Sequence, residues 1–405
     1  MIYNLGIFIY GILVRIGSLF HPKAKKWVDG RKRLFQQFPQ VENANVVWFH
    51  CASMGEYDQG LPIMEAWKKQ FPEDFILVTF FSPSGYEYFK TKSIGNYTCY
   101  LPLDTKRNAK KFIRHFKPKK VFFIKYEIWI NFLKAAKTSG SEIYAISANY
   151  RIKHRYFKWY GGYFRNALHL FNHIFVQNQN SKNLLENIHL NNITVSGDTR
   201  FDRVANRAHH AQENPIFSKW VSTEDVLVIG SSWPKDESVL LPLINSGKIT
   251  QKIILAPHEV HEGHVQQILA QLQVKYQLYT DLQQGEILSD DTKVVILNCI
   301  GILAEAYKYG KIAYVGGGFG SALHNILEPA AFGLPVIFGP IHTNFPEAST
   351  FINKGIGDSI YDQASFMEAY YSILSDENIA ERVREYIQQN TGATHIVMEY
   401  FTKSK

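Results

Sequence analysis

An α/β chain of two doubly wound domains is the fold this sequence predicts, and three observations predict it. Short apolar runs recur along the chain, each closed by a glycine, proline or polar turn and followed by a helical stretch, the pattern of parallel sheets covered by helices. The length of 405 residues exceeds one ordinary core and fits two domains of roughly 150 to 200 residues. Residues 311–346 read as strand, glycine turn, helix and strand. Ligands of such βαβ units bind beyond the carboxyl ends of the strands.

Composition narrows the partners. Hydrophobic residues make up 46% and aromatic residues 14%, enough to fill two cores and too much for a disordered chain. The net charge of +8 and an isoelectric point near 9.0 imply an anionic partner: nucleic acid, a phospholipid surface or a phosphorylated substrate. No zinc-finger spacing and no RNP-like aromatic motif occurs, which leaves nucleic acid the weakest of the three. Cys51, Cys99 and Cys299 are widely spaced with no CxxC. They fit core packing in a reducing compartment rather than disulfides or a metal.

Residues 2–20 are mostly apolar with Arg15 as the one charge, and a basic run follows: Lys23, Lys25, Lys26, Arg31, Lys32 and Arg33. A cleaved signal would carry its basic residues first and end at a small-residue site. A spanning helix needs about 20 apolar residues, with Arg15 snorkelling. A helix lying in the interface tolerates Arg15 and sets the basic run against anionic lipid. A core helix of a soluble domain is the plain alternative.

Val46 to Cys51 reads as a buried strand. Ser53-Met54-Gly55-Glu56 turns it into a helix reaching about Gln70. Glu56 then sits near the helix amino terminus, as a capping anion or a presented base. Strands follow at 75–81, before Tyr100, at 121–124, at 143–147 and at 174–178. The turn after 75–81, Ser82-Pro83-Ser84-Gly85, is ordinary by itself. The strand at 121–124 leads into Lys125-Tyr126-Glu127-Ile128-Trp129-Ile130-Asn131. Residues 148–165 interleave bases with rings, which usually marks a solvated helix face. Val195 to Asp202 closes this half, and residues 203–222, polar and holding Pro215, form the domain boundary.

Val226 to Gly230 opens the second half. Ser231-Ser232 at a helix start holds a phosphate or simply caps the helix. The strand 253–256 runs into Pro257-His258-Glu259, and strands 294–297 and 312–315 bracket Gly301 to Tyr309. Gly316, Gly317 and Gly318 lack Cβ atoms, so their N–H groups can approach an anion closely; tight turns alone are the plain alternative. His324-Asn325 precede a helix with Glu328 on its first turn, where a carboxylate can accept from sugar hydroxyls. A strand at 335–338 ends in Gly339-Pro340. From Pro346 the pattern is helical to the end.

Ser53-x-Gly55-Glu56 and His324-Asn325-x-x-Glu328-Pro329-Ala330 with Phe338-Gly339-Pro340 resemble the motifs of the 3-deoxy-D-manno-octulosonic acid (Kdo) transferases. Weaker matches fall between them in the family's order: Ser82 to Gly85, Glu127-x-Trp129-x-Asn131, Asn149-x-Arg151, Arg200-Phe201-Asp202 and Gly230-Ser231-Ser232. The chain departs from the family pattern at Lys125, at His258 and at Ala322-Leu323.

The resemblance implies an α/β GT-B glycosyltransferase, two Rossmann-like doubly wound domains facing a cleft. Residues 1–20 would be a membrane anchor or interfacial helix, 21–205 an acceptor domain carrying the base, and 206–385 a nucleotide-sugar donor domain. Residues 386–405 would be a helix crossing back to the first domain. The implied reaction moves Kdo from CMP-Kdo to lipid IVA, a lipid A precursor, with inversion. Glu56 would be the base and Glu127 a supporting acid. Donor-binding roles fall to Ser231, Ser232, Pro257, His258, Gly316, Gly317, Gly318, His324, Asn325 and Glu328, and acceptor-binding roles to Ser53, Ser82, Arg151 and Arg200. No cofactor, metal or nucleic acid is implied. The place of action would be the cytoplasmic face of a bacterial inner membrane. The alternatives are another GT-B nucleotide-sugar transferase or epimerase, or a nucleotide-binding, membrane-associated protein without catalysis.

Overall fold

Runs such as Val46–Cys51 become strands buried along their whole length, because a parallel strand has a covered face on either side. The computed structural model describes residues 2–41, 44–221, 225–320 and 322–403. Residue 222 of the expected boundary and residues 1, 404 and 405 of the expected terminal segments lie outside these. By its contacts the chain divides into Met1–Arg203 with Asn390–Lys405, and Val204–Gln389.

The first unit holds a seven-stranded sheet. Its strands are β1 (Val46–Cys51), β2 (Phe75–Phe80), β3 (Tyr97–Tyr100), β4 (Lys120–Ile124), β5 (Glu142–Ala148), β6 (His173–Val176) and β7 (Ile193–Val195). The order is β3-β2-β1-β4-β5-β6-β7, parallel throughout. Trp48, Leu77, Phe123 and Ile143 fill one face and Val47, Phe49, Val78 and Phe122 the other. The helix Ala393–Lys403 adds Val397, Met398 and Phe401 to the second face. Its start is tied down by Asp202, which accepts from the backbone N–H groups of Gly392 and Thr394 at 2.6 Å each.

The second unit holds another seven-stranded sheet: β8 (Val226–Ser232), β9 (Lys252–Pro257), β10 (Tyr276–Leu278), β11 (Val294–Ile296), β12 (Ile312–Val315), β13 (Val336–Phe338) and β14 (Gly357–Ser359). The order is β10-β11-β9-β8-β12-β13-β14, again parallel. The strand β14 corrects the all-helical expectation after Pro346. Residues 148–165 correct another, since they form two single 3₁₀ turns and the start of the helix Gly162–Leu168 rather than one helix face.

In each sheet the chain returns across its first strand. From β1 it builds outward to β3, then lays β4 on the other side of β1. From β8 it lays β9, places β10 at the edge, fills the gap between them with β11, then lays β12 on the other side of β8. The crevices at the carboxyl ends of β1/β4 and β8/β12 are therefore the topological switch points where such sheets bind ligands.

The helix Ile2–Gly17 docks on the first unit by one face. The Tyr3 hydroxyl donates to Asp104 Oδ2 at 2.5 Å, Asn131 Nδ2 donates to Asn4 Oδ1 at 2.9 Å, and Tyr10 lies against Trp27 and Phe81. Gly11 is buried because a Cβ there would lie 2.8 Å from Leu103 Cδ2. The opposite face leaves Leu5, Phe8, Leu13 and Ile16 exposed. Among the described residues no single helix is long and apolar enough to cross a membrane; this helix and Pro22–Gln36 pass that test only together, bent by 120°. Arg31 leaves the basic run, because its Nε and Nη2 donate to the carbonyls of Leu101 and Phe81 and its guanidinium sits 3.9 Å over the Trp27 ring. Lys23, Lys25, Lys26, Lys32 and Arg33 stay exposed.

Candidate active site

At the first switch point β1 ends in the corner that starts the helix Met54–Gln70, placing Glu56 in its first turn. The Ser53 hydroxyl donates to Glu56 Oε2. Ser82 lies alongside, its N–H donating to the Ala52 carbonyl at 2.8 Å. Its hydroxyl accepts from Gly85 N–H at 3.3 Å, so Ser82 caps the next helix.

The other wall is the turn after β4. Lys125 takes a left-handed φ of 66° and Glu127 follows. Burial, then the charge of Glu56, lifts the Glu127 carboxyl to about 7. The Trp129 indole and the Lys125 ammonium pull the other way, although the indole N–H does not reach hydrogen-bond geometry. The two expected acids thus share one site, where burial and the Glu56 charge favour a proton on Glu127. Tyr126, which carried no expected role, also lies in the field of both carboxylates and of Arg151. Arg200 is positioned by Asp198, which accepts from its backbone N–H at 3.0 Å and from Nε at 2.9 Å.

The Glu127 carboxyl makes a pH prediction. Its value lies above the ordinary 4.5, so the folded state holds a proton there that the unfolded chain has released. The stability this supplies is complete below about 4.5 and is lost as pH rises through about 7. Glu127→Gln should therefore be the more stable protein at pH 8, on the order of 1–2 kcal/mol, with the difference fading at pH 5. Urea unfolding at both pH values checks this; an equal difference at both would contradict the assignment.

At the second switch point Gly316 follows β12 and packs against β8, where a Cβ would stand 2.2 Å from the Ser231 carbonyl oxygen. Gly318 faces Gly339 in the same way, a Cβ meeting its backbone at 2.6 Å, and Gly317 has φ +92°. These glycines serve backbone-to-backbone approach and one left-handed turn. The N–H groups of Gly316 and Gly317 are spent inside the protein, on the Gly230 carbonyl at 2.9 Å and on Asp236 Oδ2 at 3.0 Å. This corrects the expectation that all three face an anion; among the described residues only the Gly318 N–H has no partner.

Asp236 organises this loop. Fully buried, it accepts from the Tyr314 hydroxyl at 2.7 Å, from Trp233 N–H at 2.9 Å and from Gly317 N–H. Ser232 is buried as well, and its hydroxyl donates to Glu237 Oε1 at 2.8 Å, whose other oxygen meets His264 Nε2 at 2.9 Å. Ser232 is therefore framework, whereas the Ser231 hydroxyl, at φ 55°, has no partner among the described residues. After Pro257, His258 stacks on Trp233 with ring centroids 4.4 Å apart and on His324 at the same distance. The helix Leu327–Ala331 is only five residues long, too short for much of a dipole. Asn325 Oδ1 caps it by accepting from Leu327 N–H at 3.2 Å. Glu328 lies 3.8 Å from Arg207 Nη1.

Residues 29–203 match the family model described as 3-deoxy-D-manno-octulosonic-acid transferase (kdotransferase). The chain is 28% identical over 412 aligned positions to the 3-deoxy-D-manno-octulosonic acid transferase of Chlamydophila psittaci, covering 96% of this chain and 91% of that one. It is 26% identical to the transferase of the same name from Aquifex aeolicus, covering 87% and 94%. Among solved structures, UDP-GlcNAc 2-epimerase from Neisseria meningitidis shares the fold with a TM-score of 0.60 at 14% identity, over 88% of this chain and 100% of that one. Two parallel, doubly wound units of this kind make a GT-B fold, and the sequence likeness makes the chain a glycosyltransferase. Over most of its length the sequence is similar to the Kdo transferases.

Proposed function

We propose that the chain is a Kdo transferase that uses CMP-Kdo as donor and a lipid A precursor such as lipid IVA as acceptor, and inverts the anomeric centre. The observation that carries the reading is the pair of carboxylates at the β1/β4 switch point, Glu127 raised by burial and by the charge of its neighbour Glu56. Glu56 takes the proton of the acceptor hydroxyl as its oxygen bonds the anomeric carbon. The bond from that carbon to the phosphate oxygen breaks, and CMP leaves with the electron pair. On the second unit the Gly318 N–H, the Ser231 hydroxyl and His324 receive the phosphate and the Kdo carboxylate, and Glu328 the ribose. The step as proposed needs no metal and no cofactor. The test is calorimetric titration of the purified chain with CMP and UDP. Binding of CMP but not UDP supports the donor; the reverse would favour an epimerase or UDP-sugar enzyme.

We propose further that the helix Ile2–Gly17 lies in the cytoplasmic leaflet of the inner membrane. One face is fixed to the protein by Tyr3, Asn4 and Gly11, which leaves an apolar face beside exposed lysines. Phe8→Glu with Leu13→Glu should lower binding to anionic vesicles at least about tenfold, since each buried side chain of this size is worth about 1.5–3 kcal/mol. The melting temperature should hold, because neither side chain is packed. Unchanged sedimentation with vesicles would remove the helix from the membrane.

A further inference from the structure

The second-unit site contains a ring assembly that its motifs do not announce. The Trp233 Nε1–H donates to His324 Nε2 at 3.0 Å, and the two ring planes are nearly parallel, 13° apart. His258 stacks beneath both, tilted by 26° and 33°. Both partners are anchored. The backbone N–H groups of Trp233 and Gly317 share Asp236 Oδ2, and the backbone N–H of His324 donates to the Gly316 carbonyl at 3.1 Å.

An indole N–H donates and never accepts. Nε2 of His324 must therefore carry a lone pair, and the proton of the neutral ring sits on Nδ1. Protonating Nε2 as well would turn two N–H groups toward each other across 3.0 Å. We infer that Trp233 is a positioning residue that locks His324 as the neutral, Nδ1–H imidazole, so that this site offers an anionic oxygen of the donor substrate a directed hydrogen bond rather than a cation. Among the described residues Nδ1 has no hydrogen-bond partner, so its proton is left for a ligand. Burial and the nearby His258 independently hold the ring neutral, bringing its pKa down to about 4. Among the described residues His258 is also the one titratable neighbour whose charge reaches it.

The inference rests on the proposal that the second unit binds the nucleotide sugar, and the test separates the two. Long-range ¹H–¹⁵N correlation spectra of the full chain, with His324 assigned by its loss in His324→Gln, report the tautomer and the pKa without ligand. The wild type should show protonated Nδ1 and bare Nε2. Trp233→Phe keeps a ring against His258 and loses the N–H, so the tautomers should mix and the pKa rise by about one unit or more. CMP-Kdo or CMP titrated into the same two proteins should bind about tenfold more weakly to the variant, the loss expected for one aligned bond to a charged group. A wild type with Nε2 protonated, or a folded Trp233→Phe with tautomer and pKa unchanged, overturns the lock whatever the ligand does. A shifted tautomer with unaltered CMP affinity overturns its role toward substrate. A wild type that binds no CMP overturns the donor-site reading instead and leaves the lock standing.

Discussion

Glu56→Gln is expected to lower Kdo transfer by about two to four orders of magnitude, the usual loss of a general base, with CMP affinity unchanged. Gln keeps the size and the hydrogen bond from the Ser53 hydroxyl but has no basic oxygen. As a capping anion in the first helical turn Glu56 would supply only about 0.3–1 kcal/mol of stability, so the fold should survive. The second signature is at its neighbour. With the Glu56 charge gone, one of the two causes that raise the Glu127 carboxyl is removed, and its titration should move below 7. Near-normal turnover at saturating acceptor would show that Glu56 caps the helix and does nothing else.

Asp236→Ala should be among the most destabilising single changes in the second unit, about 3–5 kcal/mol by urea unfolding. It strands three donors in a buried place: the Tyr314 hydroxyl, Trp233 N–H and Gly317 N–H. Each such loss costs about 1–3 kcal/mol, less than additively when partners relax together. Asp236→Asn is the informative control. Its amide oxygen can keep both backbone N–H bonds while its NH₂ turns to Tyr314, whose hydroxyl then accepts. Asn should recover most of the stability and the CMP affinity. If Ala and Asn are equally mild, the loop is held by glycine packing alone.

The two variants mark where the sequence was readable. Glu56 was legible because strand, glycine turn and helix sit in one stretch, and the buried runs of β1, β4, β8 and β12 stand out by their apolar content. The strand β14 did not, since Gly-Asp-Ser has no apolar residue and is a strand only because β13 offers it an edge. Residues 148–165 looked like a helix face by composition, yet Arg165 bonds the carbonyls of Tyr156 and Lys158 and folds the segment on itself. The glycines were visible, but their use was not. Whether an N–H faces a ligand or a carboxylate depends on Asp236, about 80 positions away in the chain. Trp233 was hidden for the same reason, its partner His324 being 91 residues distant. The shift at Glu127 belongs to a pair that only the crossing from β3 to β4 brings together.

The mass of the lipid product tests the central proposal most directly. Purified full-length chain, CMP-Kdo and lipid IVA are incubated with a chelator present, and the lipid is analysed by mass spectrometry alongside the Glu56→Gln protein. The account predicts acceptor carrying added Kdo and stoichiometric free CMP in the wild type, with neither in the variant. Unmodified lipid IVA, from a folded protein that turns over a UDP-sugar instead, would contradict it.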